Sequence, residues 1–515
     1  MVTLINRINS LKLPTGLELP ILLSLGGYVV LAVWFPLFPH YNQVPSADIN
    51  TFVASIPAAL GYIALFGGLY FLYHRLFGMI RQREKGVPLS LILLVGVLFA
   101  LPLLVTFPVN ATDIYRYFIR GRISSVHHES PYLVTAAELG EAAEPYLPLA
   151  GEWADVTSPY GPVWEIFAAV VTAVAPDNLP LALLLFKGLA MTCHLLIGVL
   201  IWLALKDKPA AFRAGRTVLW LWNPALLLIF AADGHNDALM LLWLVLGWWL
   251  MGRERGRERF QWAMVVLVLA PLSKPIGLLA LPFFFLAALR RIDGLQAGIR
   301  FFVITAVSWL ALVSILFLPF GPPLSLARRL LIEAGSGGEF SFLALIFLIG
   351  RDLIGFEITA ASIQLATQIA AGLFLILAAW LMWRTWRGRS PLRGTADIFA
   401  GYVVQSFVFR IWYTAWPFPW LLLDTAEDEN EIGGDQFFSW RRLKTAEGRL
   451  YAGFGFLFTA QLSVLIYGQL RTSLLGGQHL YAHLIGIPFT FLLPLFLACL
   501  SWRSSQPGSR TNSPV

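Results

Sequence analysis

LSLILLVGVLFALPLLVTFP, residues 89–108, decides the fold class of this chain. This stretch contains no charged side chain and has the length that an α-helix needs to cross a bilayer. Apolar runs of similar length recur along the chain, in which 57% of the 515 residues are hydrophobic and only 13% are charged. Because a soluble domain carries about 25% charged residues, the sequence predicts an all-α integral membrane protein.

The apolar runs predict a polytopic helical bundle of about 12–14 transmembrane helices. Full spans are predicted at 19–38, 51–73, 88–108, 181–205, 300–320, 362–383, 449–469 and 479–501. Three further runs, 216–251, 260–289 and 396–424, are each predicted to be a hairpin of two shorter helices, interrupted by GHND (234–237), SKP (273–275) and YTAWPFP (413–419). The runs 162–176 and 341–356 are short and are predicted to be interfacial or re-entrant.

Lysine and arginine residues predict the orientation of the bundle. The loops at 81–85, 206–216, 252–259, 290–291 and 384–389 are basic and are predicted to face the cytoplasm. Residues 109–161, between the third and fourth full spans, then form a long outer loop, and the three hairpin interruptions fall on the same side. The sequence therefore predicts a multi-pass protein of the inner (plasma) membrane with an extracytoplasmic active site. The net charge of +7 is explained by these loops, so no nucleic-acid partner is expected.

The simplest domain division is one membrane domain over residues 1–502, with 109–161 as its outer catalytic loop, followed by a disordered cytoplasmic tail at 503–515. Cys193 and Cys499 both lie inside apolar runs and indicate neither a disulfide framework nor a metal motif. His127 and His128 are adjacent and point differently, which makes them a poor metal pair. We expect no required metal and no cofactor.

Asp113 follows the third span in FPVNATDIYRYFIRGRI, residues 107–123. A carboxylate at the boundary between water and lipid can act as a general base, because partial burial tunes its pKa. The simpler interpretation is a helix cap, since Thr112 and Asp113 precede a predicted short helix. The two interpretations are compatible.

The GHND segment and Lys274 place charge where the chain is otherwise apolar. Asp233, His235, Asn236 and Asp237 need partners or a water-filled cavity if they lie near lipid, although a polar turn in water is the simpler alternative. A lysine at bilayer depth costs about 2.5–3.5 kcal/mol on insertion scales. Snorkelling of Lys274 to the interface is the simpler interpretation, but an anion held in a cavity explains its position better.

Arg410 repeats this pattern in FVFRIWYTAWPFPW, residues 407–420, beside Trp412, Tyr413 and Trp416. These aromatic residues fit either an interfacial belt or a surface on which a sugar stacks. Cations partway into the membrane suit a lipid phosphate, and an acid suits the activation of an acceptor hydroxyl. Together these groups predict a transferase that uses a polyprenyl-phosphate sugar.

The order of several motifs resembles that of the bacterial polyprenol-phosphate-mannose-dependent mannosyltransferases, over roughly residues 88–424. The acidic segment 424–447 and the last two spans have no counterpart in this resemblance. The matching pieces are Asp113-Ile-Tyr115-Arg116-Tyr117, Gly121-Arg122, Ser130-Pro131-Tyr132, Tyr160-Gly161-Pro162, Trp222-Asn223-Pro224, Gly234-His235-Asn236-Asp237, Lys274-Pro275 and Trp412-Tyr413.

The resemblance implies a GT-C type bundle in which Asp113 is the catalytic base and Lys274 and Arg410 flank the donor phosphate. It also implies a single inverting displacement that moves a sugar, mannose by this resemblance, from a polyprenyl-phosphate co-substrate to a glycan or glycolipid acceptor. The leaving polyprenyl phosphate is an anion, so cations stabilise it. The residues expected to bind substrate are Tyr117, Arg122, Tyr132, Tyr160, His235, Asp237, Tyr413 and Trp416.

Two other classes of protein share much of this pattern. A transporter or lipid flippase is also polytopic, but such proteins often carry repeated halves, and neither the Asp113 loop nor GHND occurs twice. An oligosaccharide polymerase or ligase would share the cavity and differ in its donor. The sequence favours the glycosyltransferase and leaves both alternatives open.

Overall fold

The structure is a computed structural model that describes residues 15–44, 46–252, 257–333, 340–406, 408–425 and 438–500. Within these residues the chain is helical, and two isolated β-bridges are the only strand-like pairing. The α-helices of six or more residues are α1 (Glu18–Trp34), α2 (Ile56–Arg81), α3 (Leu89–Leu104), α4 (Asp113–Ser125), α5 (Pro162–Val174), α6 (Leu179–Ala204), α7 (Ala210–Leu221), α8 (Asp237–Gly252), α9 (Arg257–Ser273), α10 (Leu281–Leu289), α11 (Leu295–Phe317), α12 (Leu324–Glu333), α13 (Phe342–Leu353), α14 (Ala360–Trp386), α15 (Pro391–Gln405), α16 (Phe418–Leu423), α17 (Ala446–Leu465), α18 (His479–Ile487) and α19 (Leu493–Cys499).

Membrane-length helices dominate this architecture. Among the described residues, six helices are long and apolar enough to cross a membrane, and a seventh span arises if α7 and the bent segment Pro224–Ala232 count as one. The prediction of a polytopic all-α membrane protein is therefore confirmed. The predicted number of about 12–14 crossings is reached only if the shorter apolar helices of 10–17 residues also cross. The GT-C type of the bundle stays a prediction from the resemblance.

The three predicted interruptions separate helices in the structure. GHND lies between a π-helical turn, Leu228–Ala232, and α8, and SKP lies between α9 and a 3₁₀ turn, Pro275–Ala280. The third interruption starts earlier than predicted, because α15 already ends at Gln405. The chain is extended before a 3₁₀ turn at Ile411–Ala415, and the N–H of Phe409 donates to the carbonyl of Phe340. After α15 ends, this backbone group is therefore bonded to a distant segment and not within a helix.

The run 162–176 forms α5, a helix of 13 residues that is about 20 Å long. It is shorter than the hydrocarbon core of about 30 Å, which supports the prediction that this run does not make a full crossing. Helix α5 packs against α4 where Gly121 meets Ala168. A Cβ atom at Gly121 would lie 2.5 Å from the carbonyl oxygen of Ala168, so only glycine permits this approach of the two helices.

Helix α12 was not predicted. Its sequence, LSLARRLLIE, alternates apolar residues with arginines and is not a continuous apolar run. The guanidinium of Arg329 reaches the outer loop, where Nε donates to the carbonyl of Thr157 at 3.2 Å. The helix therefore packs beside residues 109–161.

The basic loops and the three interruptions lie at opposite ends of the same helices. Helix α8 runs from the GHND segment to the basic loop 252–259, and α9 returns from that loop to SKP. Basic loops also meet one another, since a Cβ atom at Gly86 would lie 2.7 Å from the carbonyl oxygen of Ala210. The assignment of the basic end to the cytoplasm stays a prediction from the charge pattern.

Two predicted segments fall partly or wholly outside the described residues. The tail at 503–515 does so entirely, and the acidic segment 424–447 does so over 426–437. The division into one domain at 1–502 and a tail stays a prediction.

Candidate active site

Asp113 is the first residue of α4, and its side chain is buried, with 6% of the residue exposed. Arg116 lies one turn further along the helix, and its Nη1 donates to Oδ1 of Asp113 at 2.8 Å. Thr112 occupies the cap position and makes no capping hydrogen bond with its side chain. The carboxylate is thus held by a guanidinium, and Asp113 is not the residue that caps the helix.

His235 lies between two carboxylates. Its Nδ1 atom is 4.0 Å from Oδ2 of Asp113 and 4.0 Å from Oδ2 of Asp237. The imidazole stacks on Trp412 with ring centroids 4.1 Å apart, and neither ring nitrogen has a hydrogen-bond partner within the described residues. Burial lowers the pKa of His235 to about 4, so the ring is neutral at neutral pH. A neutral imidazole has one nitrogen that donates and one that accepts, so His235 can form a hydrogen bond with a third group.

Asp237 joins the three interruptions. Lys274 Nζ donates to its Oδ2 at 2.7 Å, and Trp416 Nε1 donates to its Oδ1 at 2.5 Å. The same ammonium donates to Oδ1 of Asn236 at 3.3 Å and lies 5.9 Å from the ring centroid of Tyr160. Both oxygens of Asp237 are thus occupied, which makes it a poor candidate for a general base.

Asp233 has a different task. Its carboxylate accepts hydrogen bonds from the backbone N–H of Val109 at 2.6 Å and from the backbone and side chain of Asn110 at 3.2 and 2.6 Å. It therefore fixes the segment that leads into α4. Of Asp113, Asp233 and Asp237, it is Asp113 that has an oxygen, Oδ2, accepting no hydrogen bond from the described part of the chain.

Positive charge surrounds Asp113. Arg410 precedes the 3₁₀ turn at Ile411–Ala415, and its guanidinium lies 5.9 Å from the ring centroid of Trp412. Burial opposes ionisation of Asp113, but Arg116, Lys274 and Arg410 together hold the pKa of its carboxyl below the usual value. The carboxyl group is therefore ionised at neutral pH and able to accept a proton.

Aromatic rings line the same region. Tyr413 stacks on Trp416 with ring centroids 4.1 Å apart. Tyr160 lies below Lys274 and packs edge-on against Tyr117, with centroids 5.3 Å apart. Tyr117 is fully buried, so its ring supports Tyr160 from beneath. The structure thus brings these four predicted residues to the Asp113 cluster.

With this geometry defined, the chain can be compared with known proteins. A family model described as "Alpha-(1->6)-mannopyranosyltransferase, N-terminal domain" matches residues 16–290, more than half of the chain. The chain belongs to this family. The match contains Asp113, GHND and Lys274, whereas Arg410 lies beyond it. The match also begins well before residue 88, where we placed the start of the resemblance. It therefore covers the first two predicted spans, at 19–38 and 51–73.

A curated relative from Mycolicibacterium smegmatis, described as "Probable alpha-(1->6)-mannopyranosyltransferase", is 26% identical over 362 residues. The aligned part is 62% of this chain and 62% of the relative, so the chain covers less than two thirds of that protein. No solved structure matches the chain.

Two Ser-Pro-Tyr segments, at 130–132 and 158–160, contact each other in this family member. The N–H of Ser158 donates to the carbonyl of Pro131 at 2.8 Å, and the hydroxyl of Tyr132 donates to the carbonyl of Tyr160 at 2.9 Å. These two hydrogen bonds hold the segments together. Tyr132 shapes the loop through this backbone contact, and its predicted contact with substrate stays a prediction.

Gly161 connects this loop to the SKP interruption. Its N–H donates to the carbonyl of Ser273 at 3.1 Å. A Cβ atom at Gly161 would lie 2.1 Å from the carbonyl oxygen of Leu272, so the contact requires glycine. Residue 161 thereby sets the distance between Tyr160 and Lys274.

Arg122 is not brought to the cluster. It lies nine residues after Asp113 on α4, about 13 Å away along the helix. Its Nε donates to both carboxylate oxygens of Glu144 at 3.0 Å, and its Nη1 lies 3.0 Å from Asp177. Only 3% of the residue is exposed. These contacts fix the outer loop to α4, and the expected contact of Arg122 with substrate stays a prediction.

Two contacts in or near the site were not predicted from the sequence. Arg116 was quoted within a motif but given no role, although its spacing of three residues from Asp113 on a helix is the signal for such a pair. Lys187 interrupts the predicted span at 181–205 and donates to the carbonyl of Thr106, next to the segment that Asp233 holds.

The metal prediction has no direct test. Within the described ranges no group of three or more His, Cys, Asp or Glu side chains is placed to hold a metal ion. The expectation that this family member requires none stays a prediction.

Proposed function

We propose that this protein is a membrane mannosyltransferase that moves a mannosyl group from a polyprenyl-phosphate donor to a hydroxyl of a lipid-linked or cell-envelope glycan. The observation that carries the proposal is the position of Asp113. Its ionised carboxylate begins the helix that follows the apolar helix α3 in the chain, and it keeps Oδ2 available beside three cations. Membership of the mannopyranosyltransferase family supports the choice of sugar.

Asp113 is the general base of this proposal. Arg116 orients the carboxylate through Oδ1, and Oδ2 faces His235 at 4.0 Å, too far for a direct hydrogen bond. An acceptor hydroxyl beside this gap can contact both groups. Asp113 takes the hydroxyl proton as the acceptor oxygen attacks the anomeric carbon, and the bond from that carbon to the phosphate oxygen breaks. The electron pair leaves with the polyprenyl phosphate, and the configuration of the sugar inverts.

Lys274 and Arg410 hold the donor phosphate. An ammonium has three N–H donors, and Asp237 and Asn236 accept two of those of Lys274. The third donor serves the phosphate, while Asp237 keeps the ammonium in place. Arg410 lies on the facing segment and adds a second positive charge, so the departing anion is stabilised without a proton donor. Tyr413 and Trp416 offer aromatic faces for the sugar.

The proposed location follows from the same arrangement. The site lies at the end of the bundle away from the basic loops, which the charge rule places in the cytoplasm. The protein therefore works in the inner membrane on extracytoplasmic substrates. Its partners are the bilayer, the polyprenyl-phosphate sugar and the glycan acceptor.

The proposal is tested with the purified full chain in nanodiscs. Polyprenyl-phosphate mannose, polyprenyl-phosphate glucose and a nucleotide-activated mannose are supplied separately with a mannosylated glycolipid acceptor, and products are followed by mass spectrometry. We expect mannosylated product and free polyprenyl phosphate in equal amounts from the first donor alone. Transfer from the nucleotide sugar would contradict the donor assignment. Movement of intact lipid across proteoliposomes without a new glycosidic bond would instead identify a flippase.

A further inference from the structure

A cavity opens at the end of the bundle opposite to Asp113, with a volume of about 240 Å³. It lies between the last turns of α2, the first half of α7 and the beginning of α17. Its charged lining residues are Arg81, Arg216 and Glu447. Phe77 and Phe454 contribute apolar walls, so the cavity combines positive charge with an aromatic surface.

Arg216 forms the buried part of this charge, with 8% of the residue exposed. Its Nη1 donates to the carbonyls of Leu421 and Leu422 at 2.9 and 3.3 Å, and its guanidinium packs over Phe212, 4.9 Å from the ring centroid. A guanidinium has five N–H donors. No described carboxylate lies within ion-pair distance of Arg216, so it keeps donors and charge for an anion.

Arg81 and Glu447 form the rim. Their side chains pair at 3.4 Å, and each is about half exposed, at 55% and 54%. An exposed ion pair of this kind contributes little free energy, so a stronger anion can displace Glu447 from Arg81. A phosphate group is such an anion, because hydrogen bonds between a guanidinium and phosphate are charge-assisted and often bidentate.

We infer that this cavity binds the phosphate headgroup of an anionic membrane lipid from the leaflet at this end of the bundle. Basic pockets between membrane helices bind such headgroups on the cytoplasmic side. Arg81 ends a membrane-length helix and therefore lies at headgroup depth. Phe77 and Phe454 continue the wall toward the membrane interior, where a lipid chain covers them and a free phosphate does not. This inference does not rest on the proposed sugar transfer.

The experiment measures lipid binding to the purified full chain in phosphatidylcholine nanodiscs, titrated with phosphatidylglycerol and read by native mass spectrometry. Arg81→Gln removes a rim charge, Glu447→Gln removes the competing acid, and Ala211→Leu places a larger side chain in the cavity wall. Arg75→Gln is the matched control, because Arg75 lies on the same helix, is exposed and does not line the cavity.

We expect Arg81→Gln to weaken phosphatidylglycerol binding about fivefold, the effect of one juxtamembrane arginine. Glu447→Gln should strengthen binding, Ala211→Leu should weaken it, and Arg75→Gln should leave it unchanged. Thermal unfolding of each variant in phosphatidylcholine alone separates these effects from misfolding. If Arg81→Gln is unstable, the stronger binding expected for Glu447→Gln and the weaker binding expected for Ala211→Leu still test the inference.

Equal losses in Arg81→Gln and Arg75→Gln would overturn the inference, since they would reveal diffuse surface attraction. Weaker binding in Glu447→Gln would also overturn it. Full competition by inorganic phosphate would assign the cavity to a soluble anion and remove the lipid assignment.

Discussion

The ammonium of Lys274 lies 2.7 Å from Oδ2 of Asp237, and this contact joins two helix interruptions that are 37 residues apart in the chain. Asp237 is fully buried and Lys274 is largely so, with side-chain exposures of 0% and 14%. Removing one partner of a buried pair leaves the other charge without compensation, which typically costs about 3–5 kcal/mol. The pair therefore holds Lys274, the residue proposed to bind the donor phosphate, in position, and it also stabilises the site.

We expect Lys274→Met and Asp237→Asn each to lower the thermal stability of the protein in detergent, followed by tryptophan fluorescence. The double variant should be more stable than the sum of the two effects indicates, because it leaves no unpaired charge. Donor binding should weaken in both Lys274→Met and the double variant. Strictly additive losses would show that the two side chains do not depend on each other.

Arg122 and Glu144 give a contrasting expectation. Their buried pair ties the outer loop to α4 at a distance from Asp113, so Arg122→Ala should lower the unfolding temperature and leave the KM for donor unchanged. Glu144→Ala should have the same effect. Arg328→Ala, an exposed arginine on α12, is the control and should change neither quantity. A raised KM in Arg122→Ala at unchanged stability would restore the expected contact with substrate.

The pH dependence of stability tests the environment of His235. In the unfolded chain its pKa is 6.5, whereas burial lowers it to about 4 in the folded protein. Between these values the unfolded chain binds a proton that the folded protein does not, so this group makes stability fall as pH falls from 6.5 to 4. The loss is at most about 1.4 kcal/mol per pH unit.

The measurement compares unfolding temperatures of the wild type and His235→Gln across this range of pH. Other buried groups titrate in both proteins, so the informative quantity is the difference between them. We expect the wild type to lose stability relative to the variant on acidification. A constant difference would mean that His235 is already protonated or is open to solvent.

The sequence predicts much of the fold because a membrane helix can be recognised from one continuous apolar run. Proline and charged residues stand out within apolar runs, so GHND and SKP were placed correctly from composition alone. Because the prediction rests on the composition of continuous runs, it did not find helix α12 and gave no role to Lys187. The first mixes arginines with apolar residues, and the second is one charge averaged into a long apolar run.

The candidate site was harder to predict from the sequence, because it is built from contacts between segments that are distant in the chain. The sequence places Asp113, Lys274 and Trp416 at one end of the bundle but does not show that Asp237 accepts hydrogen bonds from two of them. A motif likewise names Arg122 without its partner Glu144. Residue type and spacing indicate which groups need partners, and only packing decides which partners they have.

The orientation of the bundle is tested with single cysteines and an impermeant thiol reagent applied to intact cells. Gly151 has a backbone φ of 55°, so a side chain there would be strained, and the exposed Glu152 is the better outer position. The exposed Lys208 represents the basic end. Native Cys193 and Cys499 are buried and should stay unlabelled. We expect Glu152→Cys to react and Lys208→Cys to react only after lysis. Labelling of both in intact cells would refute the proposed orientation.

Asp113→Asn is the decisive change for the proposed mechanism. Asparagine keeps the size of the side chain and an oxygen that accepts the hydrogen bond from Arg116, but it cannot take the acceptor proton. We expect folding and donor binding close to those of the wild type, with turnover reduced by about 10²–10⁴, the usual contribution of a general base. The assay follows mannosylated product from polyprenyl-phosphate mannose at saturating donor. Asp155→Asn is the matched control, since Asp155 is an exposed acid in the same loop, and its turnover should be unchanged. If Asp113→Asn transfers mannose at nearly the wild-type rate, the base is another group. Asp237 is then an unattractive substitute, because both of its oxygens already accept hydrogen bonds from Lys274 and Trp416.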